Sequence, residues 1–173
     1  MSSLKQALNS NIGAEMMDNP LLSICIATYN RAQYLAQCLE SFIYQAESLE
    51  EGLIEVLISD NCSTDNTSEI VEKYLGRFRF IRYFVNNENI GPEKNVLGLP
   101  YKARGKYVWF MGDDDLVLEA AVEKLLAYLK NGAYGFIMLN KTVRNSDLSE
   151  IILEKQSLID KDTVYPGVKE LCK

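Results

Sequence analysis

From Leu21 onward the sequence alternates short apolar runs with stretches of helical spacing, and this restricts the fold more than any other feature. The runs Leu22–Ala27, Ile54–Ser59, Phe80–Val85 and Lys106–Met111 have the length and apolar content of buried strands. Between the first two, Tyr34, Leu35, Cys38, Leu39, Phe42 and Ile43 recur at the 3.6-residue period of a helix. Ile70, Val71, Tyr74 and Leu75 mark a second helix. Pro92 opens a third, reaching towards Ala103, which Pro100 must kink or shorten. A fourth helix is expected over Glu119–Lys130 and a fifth strand over Tyr134–Leu139. Strands separated by single helices require right-handed crossovers, so the expected class is α/β with a mainly parallel sheet. Beyond Asn140 the pattern weakens, leaving a strand at Ser149–Leu153 and the start of a helix at Gly167–Leu171.

Composition narrows the functions open to such a sheet. The 173 residues fit one domain with a real core, and a net charge of −6 without a Lys/Arg stripe argues against nucleic-acid binding. No apolar run approaches the roughly 20 residues that span a bilayer. The first 19 residues lack the apolar core of a signal peptide and read as a tail or short amphipathic helix, so a cytoplasmic protein is expected. The four cysteines show no C-x-x-C pairing and there is no histidine, which disfavours zinc sites and removes Ser-His-Asp and Cys-His catalysis. Acid–base chemistry must therefore come from carboxylates, Lys, Tyr or the substrate.

In an open parallel sheet, ligands bind beyond the carboxyl ends of the strands. Here those ends carry Thr28-Tyr29-Asn30-Arg31, Asp60-Asn61, the Asn86–Lys94 loop, and Gly112 followed by Asp113-Asp114-Asp115. Three successive carboxylates repel one another and raise one another's pKa unless positive charge is present. A hard divalent ion such as Mg²⁺ or Mn²⁺, completed by substrate phosphates, suits such oxygen ligands. The plain alternative is a solvated acidic turn ahead of the following helix. A dinucleotide-binding domain is disfavoured, since no G-x-G-x-x-G follows the first strand.

Four segments, SICIATYNRAQYL, VLISDNCSTDNT, NNENIGPEKN and GKYVWFMGDDDL, occur in the order and spacing of the family 2 glycosyltransferases, which the chain resembles from about Leu21 to Leu139. The resemblance implies a three-layer α/β/α GT-A (Rossmann-like) domain over residues 21–140. Residues 1–20 would form a tail and 141–173 the start of an acceptor-side region. It implies transfer of a sugar from a nucleotide-diphosphate donor, a UDP-sugar foremost, to a saccharide or lipid-linked acceptor, with Mn²⁺ or Mg²⁺ and inversion. Peripheral association with the inner membrane face is left open.

The resemblance also implies residue roles. Thr28, Tyr29, Asn30 and Arg31 match the nucleotide-contacting loop, with Asn61 beside Asp60. Asp60 matches an aspartate that accepts a hydrogen bond from the base, as an ionised carboxylate can. Lys94 stands where an arginine is usual, keeping a point charge but losing the bidentate fork. The metal motif of the family is Asp-x-Asp, and Gly112 falls at its usual first acid. That register makes Asp114 the metal ligand, with Asp113 towards the nucleotide and Asp115 behind. Asp113 and Asp115 also form a literal Asp-x-Asp, so a register one residue away stays open. The general base belongs to the acceptor half, where Asp147, Glu150, Glu154, Asp160 and Asp162 are available. The competing reading is a module that binds a nucleotide-sugar without turning it over.

Overall fold

The computed structural model describes residues 19–145 and 147–155. They fall into two compact units, one ending at Gly132 and the other beginning at Ala133.

The first unit is built on strands β1 (Leu22–Thr28), β2 (Ile54–Asp60), β3 (Ile81–Val85) and β4 (Tyr107–Gly112). All neighbours are parallel and the order is β3-β2-β1-β4. Every residue of β2 is buried, as expected of a central parallel strand covered on both faces. The connections are helices α1 (Ala32–Glu47), α2 (Thr67–Leu75) and α3 (Pro92–Leu97), with α4 (Ala121–Asn131) following β4. Cys25 and Leu57 on one sheet face pack against Leu99, just beyond α3, with Ala27, Phe84 and Ala103 around them. By the two-residue period of a strand, Ile24, Ile26, Val56 and Ile58, all fully buried, face the other way. Helix α1 closes its own buried stripe, Leu35, Cys38, Leu39, Phe42 and Ile43, against α2 and α4 and reaches the end of β4 through Cys38.

Helix α3 ends at Leu97, six residues before Ala103. Pro100 has no N–H to continue the ladder, and the chain proceeds through turns in which Lys102 and Ala103 donate to the Leu99 carbonyl.

At the amino end of the sheet, Gly105 passes so close to β1 that a Cβ there would lie 2.6 Å from the Ser23 nitrogen. The same end holds a buried charge. Glu55 accepts from Ser23 Oγ (2.7 Å), the Arg104 backbone N–H (2.6 Å) and Arg82 Nη1 (2.9 Å).

In the second unit, β5 (Val143–Arg144) and β6 (Ile151–Leu153) form an antiparallel pair. Thr142 Oγ1 donates to the Glu154 carbonyl, the Asn145 N–H donates to the Glu150 carbonyl, and the Glu150 N–H returns to Asn145 Oδ1. The expected strand near Ser149–Leu153 is thus present in shortened form. The expected fifth strand at Tyr134–Leu139 is not formed: that stretch has no regular structure, with Phe136 73% and Met138 58% exposed. A short apolar run signals burial but names no partner, and β4 remains the edge of the four-stranded sheet. The expected N-terminal helix and the helix at Gly167–Leu171 lie outside the described residues.

Candidate functional site

Strand register assembles the site. Thr28 is paired with Asp60, Ala27 with Gly112, and Asp60 with Val85, so four loops leave the sheet along one edge. With strands about 4.8 Å apart, the ends of β1, β2 and β4 lie within about 10 Å of one another.

Asp113 is the buried member of the acid trio and both its oxygens are engaged. Oδ2 accepts from Thr28 Oγ1 at 2.9 Å and Oδ1 from Arg31 Nη1 at 2.8 Å. Arg31 extends its second nitrogen, Nη2, to Asp114 Oδ2, also at 2.8 Å. The guanidinium therefore bridges two carboxylates while lying 4.8 Å from the centre of the Tyr34 ring. Burial raises the Asp113 carboxyl above its ordinary pKa, against the opposing pull of Thr28 and Arg31. Arg31 is held further towards its charged form, first by the hydrogen bond to Asp114. Asp115 turns back, its Oδ2 accepting the Gly112 N–H at 3.1 Å. A Cβ at Gly112 would meet Asp114 Oδ1 at 2.9 Å and Asp115 Oδ2 at 3.0 Å, both carboxylate tips that would have to shift to admit it.

Asn30 adopts a left-handed backbone (φ 51°), which asparagine tolerates better than most residues. Its Oδ1 accepts from the Thr64 N–H at 2.7 Å, and its own N–H donates to Ser63 Oγ. The loops after β1 and β2 are thereby stitched together. Asp65 completes the seam by accepting from the Ala32 N–H at the start of α1. Tyr29 points outwards, largely exposed.

Asp60 is fully buried, accepting from the Ser63 N–H (2.8 Å) and the Tyr83 hydroxyl (2.6 Å). Asn61, also buried, accepts from the Ile90 N–H and Asn86 Nδ2 and donates to Asn89 Oδ1. Asn95 continues this chain, bonding Ser59 through side chain and carbonyl and receiving Asn86. The loop before α3 is thus held by amide side chains. Lys94, exposed on α3, makes no ion pair among the described residues.

Tyr83, Tyr34, Ser63 and Asn95 also belong to the site, although nothing in their local sequence assigns them a role there. Tyr83 reads locally as an ordinary strand aromatic, and Asn95 as a helix-surface amide. The acids considered for proton transfer separate: Asp147, Glu150 and Glu154 lie in the second unit, and Asp160 and Asp162 lie outside the described residues.

Among the described residues no group of three or more His, Cys, Asp or Glu side chains forms a cage for a metal ion. The donors at the edge of the site are all oxygen, and the Asp114 side chain is 51% exposed. That fits a hard divalent ion held by one or two carboxylates with phosphate oxygens completing its sphere.

Comparison with known proteins agrees with this architecture. The model of the family described as glycosyl transferase family 2 matches residues 23–169. The chain belongs to that family. It is 36% identical over 132 residues to the abequosyltransferase RfbV of Salmonella typhimurium, covering 76% of this chain and 39% of RfbV. It is 31% identical over 147 residues to the GalNAc(5)-diNAcBac-PP-undecaprenol beta-1,3-glucosyltransferase of Campylobacter jejuni, covering 82% of this chain and 46% of the relative. The chain thus spans less than half the length of these family 2 relatives. Among solved structures, S. aureus TarS 1-349 in complex with UDP superposes with a TM-score of 0.58 at 29% identity, over 64% of this chain and 32% of TarS. The GT-A fold expected of a family 2 chain is therefore the one observed.

Proposed function

We propose that this edge of the sheet binds the nucleotide diphosphate of a sugar donor, a UDP-sugar by preference, for inverting transfer to a saccharide or lipid-linked acceptor. One observation carries the reading. Thr28, Asp60 and Asp113 come from three adjacent strand ends, and the Asp113 and Asp114 carboxylates there already share the Arg31 guanidinium.

Support for UDP comes from the UDP and UDP-GlcNAc complexes of TarS, and for a lipid-linked acceptor from the name of the Campylobacter relative. In this reading Asp60 accepts the base N–H. Each of its oxygens keeps a lone pair after the bonds to Ser63 and Tyr83. Asn30 and Asn61 hold the loops that bracket the base, and Tyr29 lies over it. Asp113, fixed by Thr28, faces the ribose side. Asp114, with Asp115 behind it, would hold Mg²⁺ or Mn²⁺ against the diphosphate. When bound, the ion supplies charge stabilisation for the departing nucleoside diphosphate. Lys94 and Arg31 add positive charge on the phosphate side. An acceptor-side carboxylate removes the hydroxyl proton.

Titration calorimetry of the full chain with UDP, GDP and CDP, with and without Mn²⁺, tests the reading. Binding of UDP that strengthens with Mn²⁺ and is lost in Asp114→Ala is expected. Failure of all three nucleotides to bind refutes it. Tight binding with neither transfer nor donor hydrolysis identifies a binding module instead.

A further inference from the structure

The arrangement at Arg31 goes beyond assembling a phosphate site. A guanidinium usually forks onto one carboxylate. Here it splits its nitrogens between Asp113 and Asp114, each at 2.8 Å, with its face on Tyr34. The two carboxylates differ in how firmly they are held. Asp113 is buried and retains Thr28 as a second partner, whereas the Asp114 side chain is 51% exposed, and Arg31, 40% exposed, has room to swing. The contact to Asp114 is therefore the solvent-accessible half of the bridge, the one an incoming ion can reach.

We propose that Arg31 is a resident counter-cation of the acid cluster, yielding Asp114 to a divalent ion and re-pairing with the donor's diphosphate. The inference rests on the donor-site reading above and adds a consequence that reading does not contain. A divalent ion approaching Asp114 alone meets a like charge already seated there, so it binds poorly. A nucleotide diphosphate gives the guanidinium a planar, multidentate alternative partner, which arginine is suited to take. Metal and nucleotide then favour each other's binding, and by linkage the coupling is the same in both directions. Part of that coupling resides in this one side chain.

The test counts free Mn²⁺ by electron paramagnetic resonance in titrations of the full chain, with and without UDP. It compares wild type with Arg31→Gln and Arg31→Lys. Without UDP, Arg31→Gln is expected to bind Mn²⁺ at least about tenfold more tightly than wild type, and the gain in Mn²⁺ affinity caused by UDP shrinks by a similar factor. Arg31→Lys, which keeps the charge, stays near wild type. Unchanged or weaker nucleotide-free affinity in Arg31→Gln overturns the proposal, because Arg31 would then be a brace for the acids. Lysine behaving like glutamine overturns it too. If Arg31→Gln does not fold, Arg31→Met retains the apolar stem over Tyr34 and reads the same quantity. If UDP binds none of the chains, the donor-site reading fails, while the nucleotide-free titration still decides whether Arg31 opposes the metal.

Discussion

Glu55 offers the sharpest test of how this sheet is held together. Its side chain is 1% exposed and serves three donors: Ser23 Oγ, the Arg104 N–H and Arg82 Nη1. Replacing Glu55 by alanine takes its carboxylate from a part-buried guanidinium and strands two neutral donors at once. Loss of one partner of a buried ion pair costs about 3–5 kcal/mol, and each stranded neutral donor about 1–3 kcal/mol, but these overlap. Arg82 is 21% exposed and keeps the Lys102 carbonyl as acceptor, so part of its cost is relieved. We expect a net loss of about 4 kcal/mol, a large share of the 5–15 kcal/mol typical of a domain. For a chain of this length that is a fall of about 8–16 °C in Tm. Glu55→Gln keeps the Oε1 acceptor for Ser23 and Arg104 but loses the charge and turns an amide NH2 towards Arg82, which still has the Lys102 carbonyl, so about 2 kcal/mol is expected. Urea unfolding by circular dichroism measures both. Glu55 and Asp60 sit five positions apart on β2, roughly 16 Å, so nucleotide binding by the folded fraction should be unchanged. A loss below about 1 kcal/mol in the alanine variant, or equal losses in the two, would refute the reasoning.

Gly105→Ala should cost about 2 kcal/mol in the same assay, because its Cβ would press on the Leu22–Ser23 backbone as well as on Ser23 Oγ, and the backbone cannot swing aside. Asn61→Ala should speed hydrogen exchange across residues 86–91 and weaken UDP binding about tenfold, since it removes three bonds holding that loop; unaltered exchange would contradict this. Burial, reinforced by Glu55, pushes the Cys25 thiol up to about 12, and burial also raises Cys38. Iodoacetamide should therefore modify the partly exposed Cys62 before either of them, as mass spectrometry would show. Both pKa values are higher folded than unfolded. The associated stability is thus present below about pH 8.5 and declines as pH rises from there towards the folded values. Constant urea stability between pH 7.5 and 10.5 would count against that assignment.

Strands β1 to β4 and their polar ends were legible in the residues alone. Each is a short apolar run closed by local turn chemistry, and a parallel sheet collects its carboxyl ends on one edge whatever the details. The shortening of α3 was equally local, because proline acts through its own missing N–H. The fate of Tyr134–Leu139 was not, since pairing depends on a partner edge that the run itself does not encode.

At the site, the sequence determined which chemical groups meet: aspartates, asparagines and one arginine at neighbouring strand ends. Only the tertiary structure decided how they are spent. It joined Arg31 to acids 82 and 83 positions away, buried Asp60 against Tyr83, and turned Asn61 and Asn95 into ties for a loop. The physical reason is range. Burial and turn preferences are written in adjacent residues, whereas the partner of a charge or an amide is fixed by strand register and helix packing across the whole sheet.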